Sequence, residues 1–95
     1  MDFGRIVFSG HALWGLVRRG IPIRNVRAVL AHGEVIAEYA DDRPLPSRLL
    51  LGLVDGRPIH VVIAYDDRTQ TCIIVTAYRP DAGLWNDDFR TRSER

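Results

Sequence analysis

Lysine is absent from this chain. All 13 basic residues are arginine, and 12 acidic residues leave a formal net charge of +1. A charge that small excludes a global field drawing the protein to nucleic acid or to an anionic membrane. Arginine suits bidentate phosphate contacts and base stacking. A GC-rich genome is the stronger explanation of the arginine, since Ala, Gly, Val and Asp are also abundant. Cysteine is nearly absent too. Cys72 stands alone, which excludes an intramolecular disulfide. It lies mid-strand among Ile and Val, and reads as a buried, inert thiol. No apolar run approaches the roughly 18 residues of a membrane-crossing helix. The opening stretch MDFGRIVFSG lacks the basic start and long apolar core of a secretory signal. A bacterial cytoplasmic protein is therefore expected. There is no HExxH, no CxxC, no close His pair and no glycine-rich phosphate loop, so no metal or cofactor is expected. At 95 residues the chain has room for one core, and residues 1–95 are read as one domain.

What is present centres on Asp55 to Pro80, DGRPIHVVIAYDDRTQTCIIVTAYRP. Ile59 to Tyr65 alternates, with Ile59, Val61, Ile63 and Tyr65 on one face and His60, Val62 and Ala64 on the other. Thr71 to Tyr78 alternates likewise, with Cys72, Ile74, Thr76 and Tyr78 opposed to Ile73, Val75 and Ala77. β-Branched and aromatic residues dominate both runs, as a pleated, half-buried surface requires. Leu49 to Val54 is a third apolar run, and Asp55-Gly56 joins it to the next through a predicted type I′ turn. The result is a three-strand antiparallel meander.

Upstream, Ser9 is placed to cap a helix from His11 to Arg19, with Ala12, Leu13, Leu16 and Val17 as its apolar stripe and Gly20 as its stop. Pro22 opens a second helix to about Ala31, with Ile23, Val26, Val29 and Leu30 buried and Gly33 as a left-handed cap. Glu34 to Tyr39 is a predicted strand. Ala40 to Arg48, with Pro44 and Pro46, is a loop of the kind that lies beside binding sites. Ile6-Val7-Phe8 is a short edge strand. Leu84, Trp85 and Phe89 are expected to pin a short helical segment of the polar tail to the core. The predicted class is α+β: two N-terminal helices packed on an antiparallel sheet of about four strands, plus that edge strand.

Proton carriers are few: His11, His60 and Tyr78. Arg19, Arg57 and Arg79 are the cations that accompany them. Each has a plain structural alternative. His11 follows Ser9-Gly10 at a helix start, and His60 lies mid-strand where a satisfied core imidazole is common. Tyr78 can be a core ring, Arg19 complements a helix dipole, and Arg57 follows a tight turn. His32 is explained by its helix end. Strand parity links His60 to Tyr78. A five-residue turn over Asp66 to Gln70 sets His60 opposite Thr76, on the Tyr78 face, whereas a four-residue turn moves it to the Ala77 face.

Three blocks, HALWGLVRRGI, GRPIHVV and TAYRP, stand in this order. Together they resemble the signature of an uncharacterised bacterial and phage family described as similar to the RelE/ParE toxin superfamily. His11, Ala12, Arg19, Gly20 and Ile21 match the first block. Gly56, Arg57, Pro58, His60, Val61 and Val62 match the second, and Thr76, Ala77, Tyr78 and Pro80 the third. The resemblance covers about Phe8 to Pro80. It implies two helices on an antiparallel sheet. It also implies kinship with toxins that cleave mRNA on ribosomes or inhibit gyrase, and with them RNA, a ribosome or an antitoxin protein as partner. On that reading His11, His60 and Tyr78 carry protons for metal-independent RNA cleavage, while Arg19, Arg57 and Arg79 hold phosphate. One departure stands out: Gly15 occupies the position where the family pattern has Arg, with Arg18 the neighbouring substitute. The rival reading is a non-catalytic protein-interaction domain on the same scaffold, and a homodimer is compatible with either.

Overall fold

The structure, a computed structural model, describes residues 4–93. Met1 to Phe3 of the opening stretch, and Glu94 and Arg95 of the tail, lie outside the described residues. The elements are β1 (Arg5–Phe8), α1 (Gly10–Arg19), α2 (Ile23–His32), β2 (Glu34–Tyr39), β3 (Ser47–Val54), β4 (Arg57–Asp66) and β5 (Thr71–Tyr78).

Local chemistry sets the helix ends. The Ser9 hydroxyl accepts from the Ala12 N–H at 3.0 Å, satisfying one of the orphan donors of α1. Gly20 closes α1 at φ 65°, ψ 34°, and Arg18 and Arg19 place positive charge at the helix's negative end. Pro22 is the N-cap of α2 at φ −66°. Gly33 departs from expectation: its φ of −74° is not left-handed. Glycine is needed there because a Cβ would lie 2.5 Å from the Val29 carbonyl oxygen and 2.7 Å from that of Leu51. The chain passes from α2 into β2 with no room for a side chain.

The sheet has five strands in the order β1-β5-β4-β3-β2, and it is mixed. β2 to β5 form an antiparallel meander, while β1 pairs parallel to β5, with Arg5 opposite Thr71 and Phe8 opposite Ile74. The expected count of about four is thus corrected to five. The short Ile6-Val7-Phe8 run covers the otherwise open edge of β5, and a parallel neighbour requires a long crossover, which the intervening elements supply. Asp55 (φ 54°) and Gly56 (φ 77°) make the β3–β4 turn with both central residues at positive φ, as its chemistry predicts.

The helices pack on one face of this sheet. Ala12, Leu16, Val26, Val29 and Leu30 meet Leu50, Ile59, Val61, Ile63, Ile74 and Ala77 in a single buried cluster. Five of the eight predicted stripe residues are buried, Ala12, Leu16, Val26, Val29 and Leu30. Leu13, Val17 and Ile23 stay 37%, 74% and 43% exposed.

The opposite face is covered at both ends. Near the β4–β5 turn, the 40–46 loop closes a cavity of about 320 Å³ lined by Pro44, Leu45, Val62, Ala64, Ile73 and Val75. At the other end the tail folds across Leu51 and His60. It forms no helix. Trp85 and Arg92 make an antiparallel bridge, with the Asn86 N–H donating to Thr91 O at 2.9 Å and the Ser93 N–H to Leu84 O at 2.8 Å. Asp81 and Asp88 accept from the backbone N–H groups two residues on, at 2.7 and 2.9 Å, and such local bonds compete with helix formation. Trp85 and Phe89 are half-buried, but Leu84 is 48% exposed.

Candidate functional site

His60 is the one histidine in the core and is 0% exposed. Its position depends on a register change in β5. The β4–β5 connection has four residues, 67–70, because Asp66 pairs with Thr71. Parity alone would then set His60 against Ala77. Between Ile63↔Ile74 and Val62↔Thr76 the register shifts, leaving Val75 unpaired as a bulge. The extra residue brings His60 directly opposite Tyr78. It also corrects the simple alternation expected for β5. Cys72, Ile74 and Ala77 share the helix-packed core, while Ile73, Thr76 and Tyr78 share the face of Ala64, Val62 and His60, their pairing partners.

The imidazole is held on every side. Nε2 lies 2.7 Å from the Phe89 carbonyl oxygen and Nδ1 lies 3.4 Å from the Tyr78 hydroxyl. A carbonyl only accepts, so Nε2 carries the proton, and Nδ1 is left to accept from Tyr78. The Trp85 ring stands edge-on with centroids 4.5 Å apart, and the Tyr78 ring likewise at 5.4 Å. Burial lowers the His60 pKa below its ordinary 6.5, partly countered by the bond to Phe89. Burial raises that of Tyr78; the negative charge that Tyr39 would carry adds to this, and Arg92 opposes it. Both groups are therefore held in their neutral forms at neutral pH.

The remaining candidates do not join this pair. His11 is exposed in the first turn of α1, on the helix-covered side of the sheet, opposite the face that His60 occupies. Arg19 lies eight residues further along the helix, about 12 Å at helical rise. Its guanidinium folds back beside Gly15, where a Cβ would meet Nη1 at 2.5 Å, and that nitrogen donates to Ala77 O at 3.4 Å. The space that a residue-15 side chain would enter is thus held by Arg19. Arg57 is exposed beside the β3–β4 turn, and Arg79 is half-buried just beyond β5. Cys72 is buried in the helix-side core, where burial raises its thiol pKa to about 11, as an inert thiol requires. Among the described residues, no three His, Cys, Asp or Glu side chains cluster in a way that could hold a metal. No helix among them is long and apolar enough to cross a membrane.

Sequence reasoning missed the cover over His60. Phe89 supplies a backbone carbonyl and sits at φ 57°, a left-handed conformation that no pattern around it announces. Trp85 was expected to anchor the tail to the core, as it does, but not to stand over His60. Arg90, next to Phe89, forms an ion pair with Glu34 of β2, and the Arg92 guanidinium lies 5.6 Å from the Trp85 ring centroid. These contacts tie the tail to the sheet edge and to itself.

An α+β domain with a helix pair on one face and a sealed histidine on the other is the class that this geometry defines. The chain belongs to the family described as domain of unknown function DUF4258, whose model matches residues 8–79. No curated protein and no solved structure matches it. The match runs from the last residue of β1 to just past β5, and it leaves out the tail that buries His60.

Proposed function

We propose that this domain acts by binding another protein and not by cutting RNA. One observation carries the reading: His60, the histidine nearest Tyr78, is fully buried with both ring nitrogens engaged. A general acid or base must reach the proton it moves, and here Trp85 and Phe89 stand where a substrate would have to enter. His11 is on the other side of the sheet, apart from the two other proposed proton carriers, His60 and Tyr78. The RelE/ParE-like scaffold belongs with this proposal, supported by the helix pair packed on the β2–β5 meander. It is used here as an interaction domain.

A second reading keeps the toxin-like ribonuclease. The β5 bulge does align Tyr78 with His60, and the covering tail lies outside the family match. On that reading the tail must lift before His60 acts. Induced expression in a bacterial host separates the two, with growth, translation and RNA integrity followed for the full chain and for a version ending at Pro80. The interaction reading expects neither to arrest translation or cleave RNA, with or without ribosomes. Arrest by either form, abolished by His60→Gln in a protein that stays folded, overturns it.

A further inference from the structure

The helical layer carries a charge pattern unlike the rest of the chain. From Phe3 to Gly33 there is no Asp or Glu, while Arg5, Arg18, Arg19, Arg24 and Arg27 all fall there. Among the described residues the ion pairs join Arg48 to Glu38, Arg68 to Asp66 and Arg90 to Glu34, all outside that stretch. Arg18 lies over the Trp14 ring at 5.9 Å and Arg27 over the Phe8 ring at 5.8 Å, so both are held without a carboxylate.

Where α1 turns into α2 lies an apolar groove of about 560 Å³, and Arg18, Arg19 and Arg24 are chain neighbours of its lining residues Val17, Gly20 and Ile23. Leu16 and Ile21, at 2% and 3% exposure, form its floor, and Leu13, Val17, Pro22 and Ile23 form its walls. Val17 at 74% exposure is the most exposed large apolar residue described, and Trp14 at 60% stands beside it. An exposed apolar patch bordered by polar residues marks a binding surface, and the residues next to this one in the chain are basic.

We infer that this groove binds an acidic amphipathic helix of a partner protein; the inference rests on the interaction reading above and specifies its face and its ligand. A helix offers apolar side chains at i, i+3, i+4 and i+7, which fill a groove, and acidic side chains beside them, which meet the basic residues that neighbour the lining in the chain. Nucleic acid would meet the arginines but would press polar edges into an apolar slot that cannot satisfy them. An anionic membrane takes up protruding apolar residues, whereas here the buried floor lies below the walls.

The test is selection from a displayed library of helix-forming peptides about 20 residues long, long enough to hold helical structure. The wild-type domain is the bait. Expected winners carry apolar residues at helical spacing and a net negative charge. Binding of a winning peptide, read by fluorescence anisotropy, should fall at least about tenfold in Val17→Glu and several-fold in Arg24→Glu/Arg27→Glu, and should weaken with salt. A peptide with its acids changed to Lys should recover binding to the double variant only. Val17 is exposed, so its substitution leaves the fold intact, which circular dichroism checks. An empty selection, neutral or basic winners, or binding indifferent to Val17→Glu overturns the inference. So does light scattering that shows a dimer dissociated by Val17→Glu, which gives the groove to a second copy. Preferential binding of an RNA hairpin or of phosphatidylserine vesicles at the same residues also overturns it. Peptides that map to another face sink this inference and leave the interaction reading standing; translation arrest sinks that reading itself.

Discussion

Replacing His60 by Ala asks whether the imidazole is structural. The ring is fully buried, and its Nε2–H satisfies the Phe89 carbonyl at 2.7 Å. Leaving that carbonyl unpaired costs about 1–2 kcal/mol. Truncating a fully buried side chain beside Trp85 and Tyr78 costs about a further 2–3 kcal/mol. The expected loss is about 3–5 kcal/mol, the lower end applying where the tail lifts and water enters. Against a total stability of about 5–15 kcal/mol for a small domain, the variant is marginal. Urea unfolding reads this directly: with a slope near 1 kcal/mol per molar, the midpoint falls by roughly 3–5 M. Trypsin should cut after Arg90 or Arg92 well before it cuts the sheet. His60→Gln keeps an N–H donor at about the reach of Nε2, and should recover about half of the loss. A His60→Ala protein within about 0.5 kcal/mol of wild type, or one that stays stable while losing an RNA-cleaving activity, refutes the reasoning.

Stability should also depend on pH through His60. Its folded pKa lies below the ordinary 6.5, so between the two values the unfolded chain binds more protons. The contribution is complete above 6.5 and is lost as pH falls toward the folded value. Unfolding curves across the weakly acidic range should show that slope in wild type and lose part of it in His60→Gln. Gly33→Ala drives a Cβ against two backbone carbonyls and should destabilise by about 3 kcal/mol in urea unfolding. Gly15→Ala meets only the mobile end of Arg19, whose 3.4 Å bond to Ala77 O is weak, so helix propensity wins. It should raise stability by about 0.5–1 kcal/mol; a loss of that size in the same assay would mean that Arg19 holds α1 to β5.

Much of the fold was legible because its signals are local. Ser9, Gly20, Pro22 and Asp55-Gly56 each act within a few residues, and the α1, α2 and β3–β4 boundaries followed from them. The parallel pairing of β1 was not legible, since nothing within Ile6-Val7-Phe8 specifies a partner 66 residues away. The stripes of α1 and α2 overstated burial because Leu13, Val17 and Ile23 have the right spacing but lie at the α1–α2 turn outside the buried cluster that holds Ala12, Leu16, Val26, Val29 and Leu30. The candidate site shows the same division. His60 and Tyr78 were found from residue type, and their pairing hung on loop length. The loop was shorter than that pairing needed, and the Val75 bulge, invisible in a continuous β-branched run, supplied the missing residue. The tail cover escaped because it depends on Asx turns and a backbone carbonyl, not on a chemical side chain.

The most direct test of the sealed histidine is nitrogen-15 NMR of the three imidazoles through a pH titration. His60 is expected to titrate below the ordinary 6.5, with its proton on Nε2 in the neutral form and protected from exchange. A His60 that titrates near 6.5 with a rapidly exchanging ring proton would place it in solvent. That result would contradict the closed tail and return the histidine to the list of residues free to do chemistry.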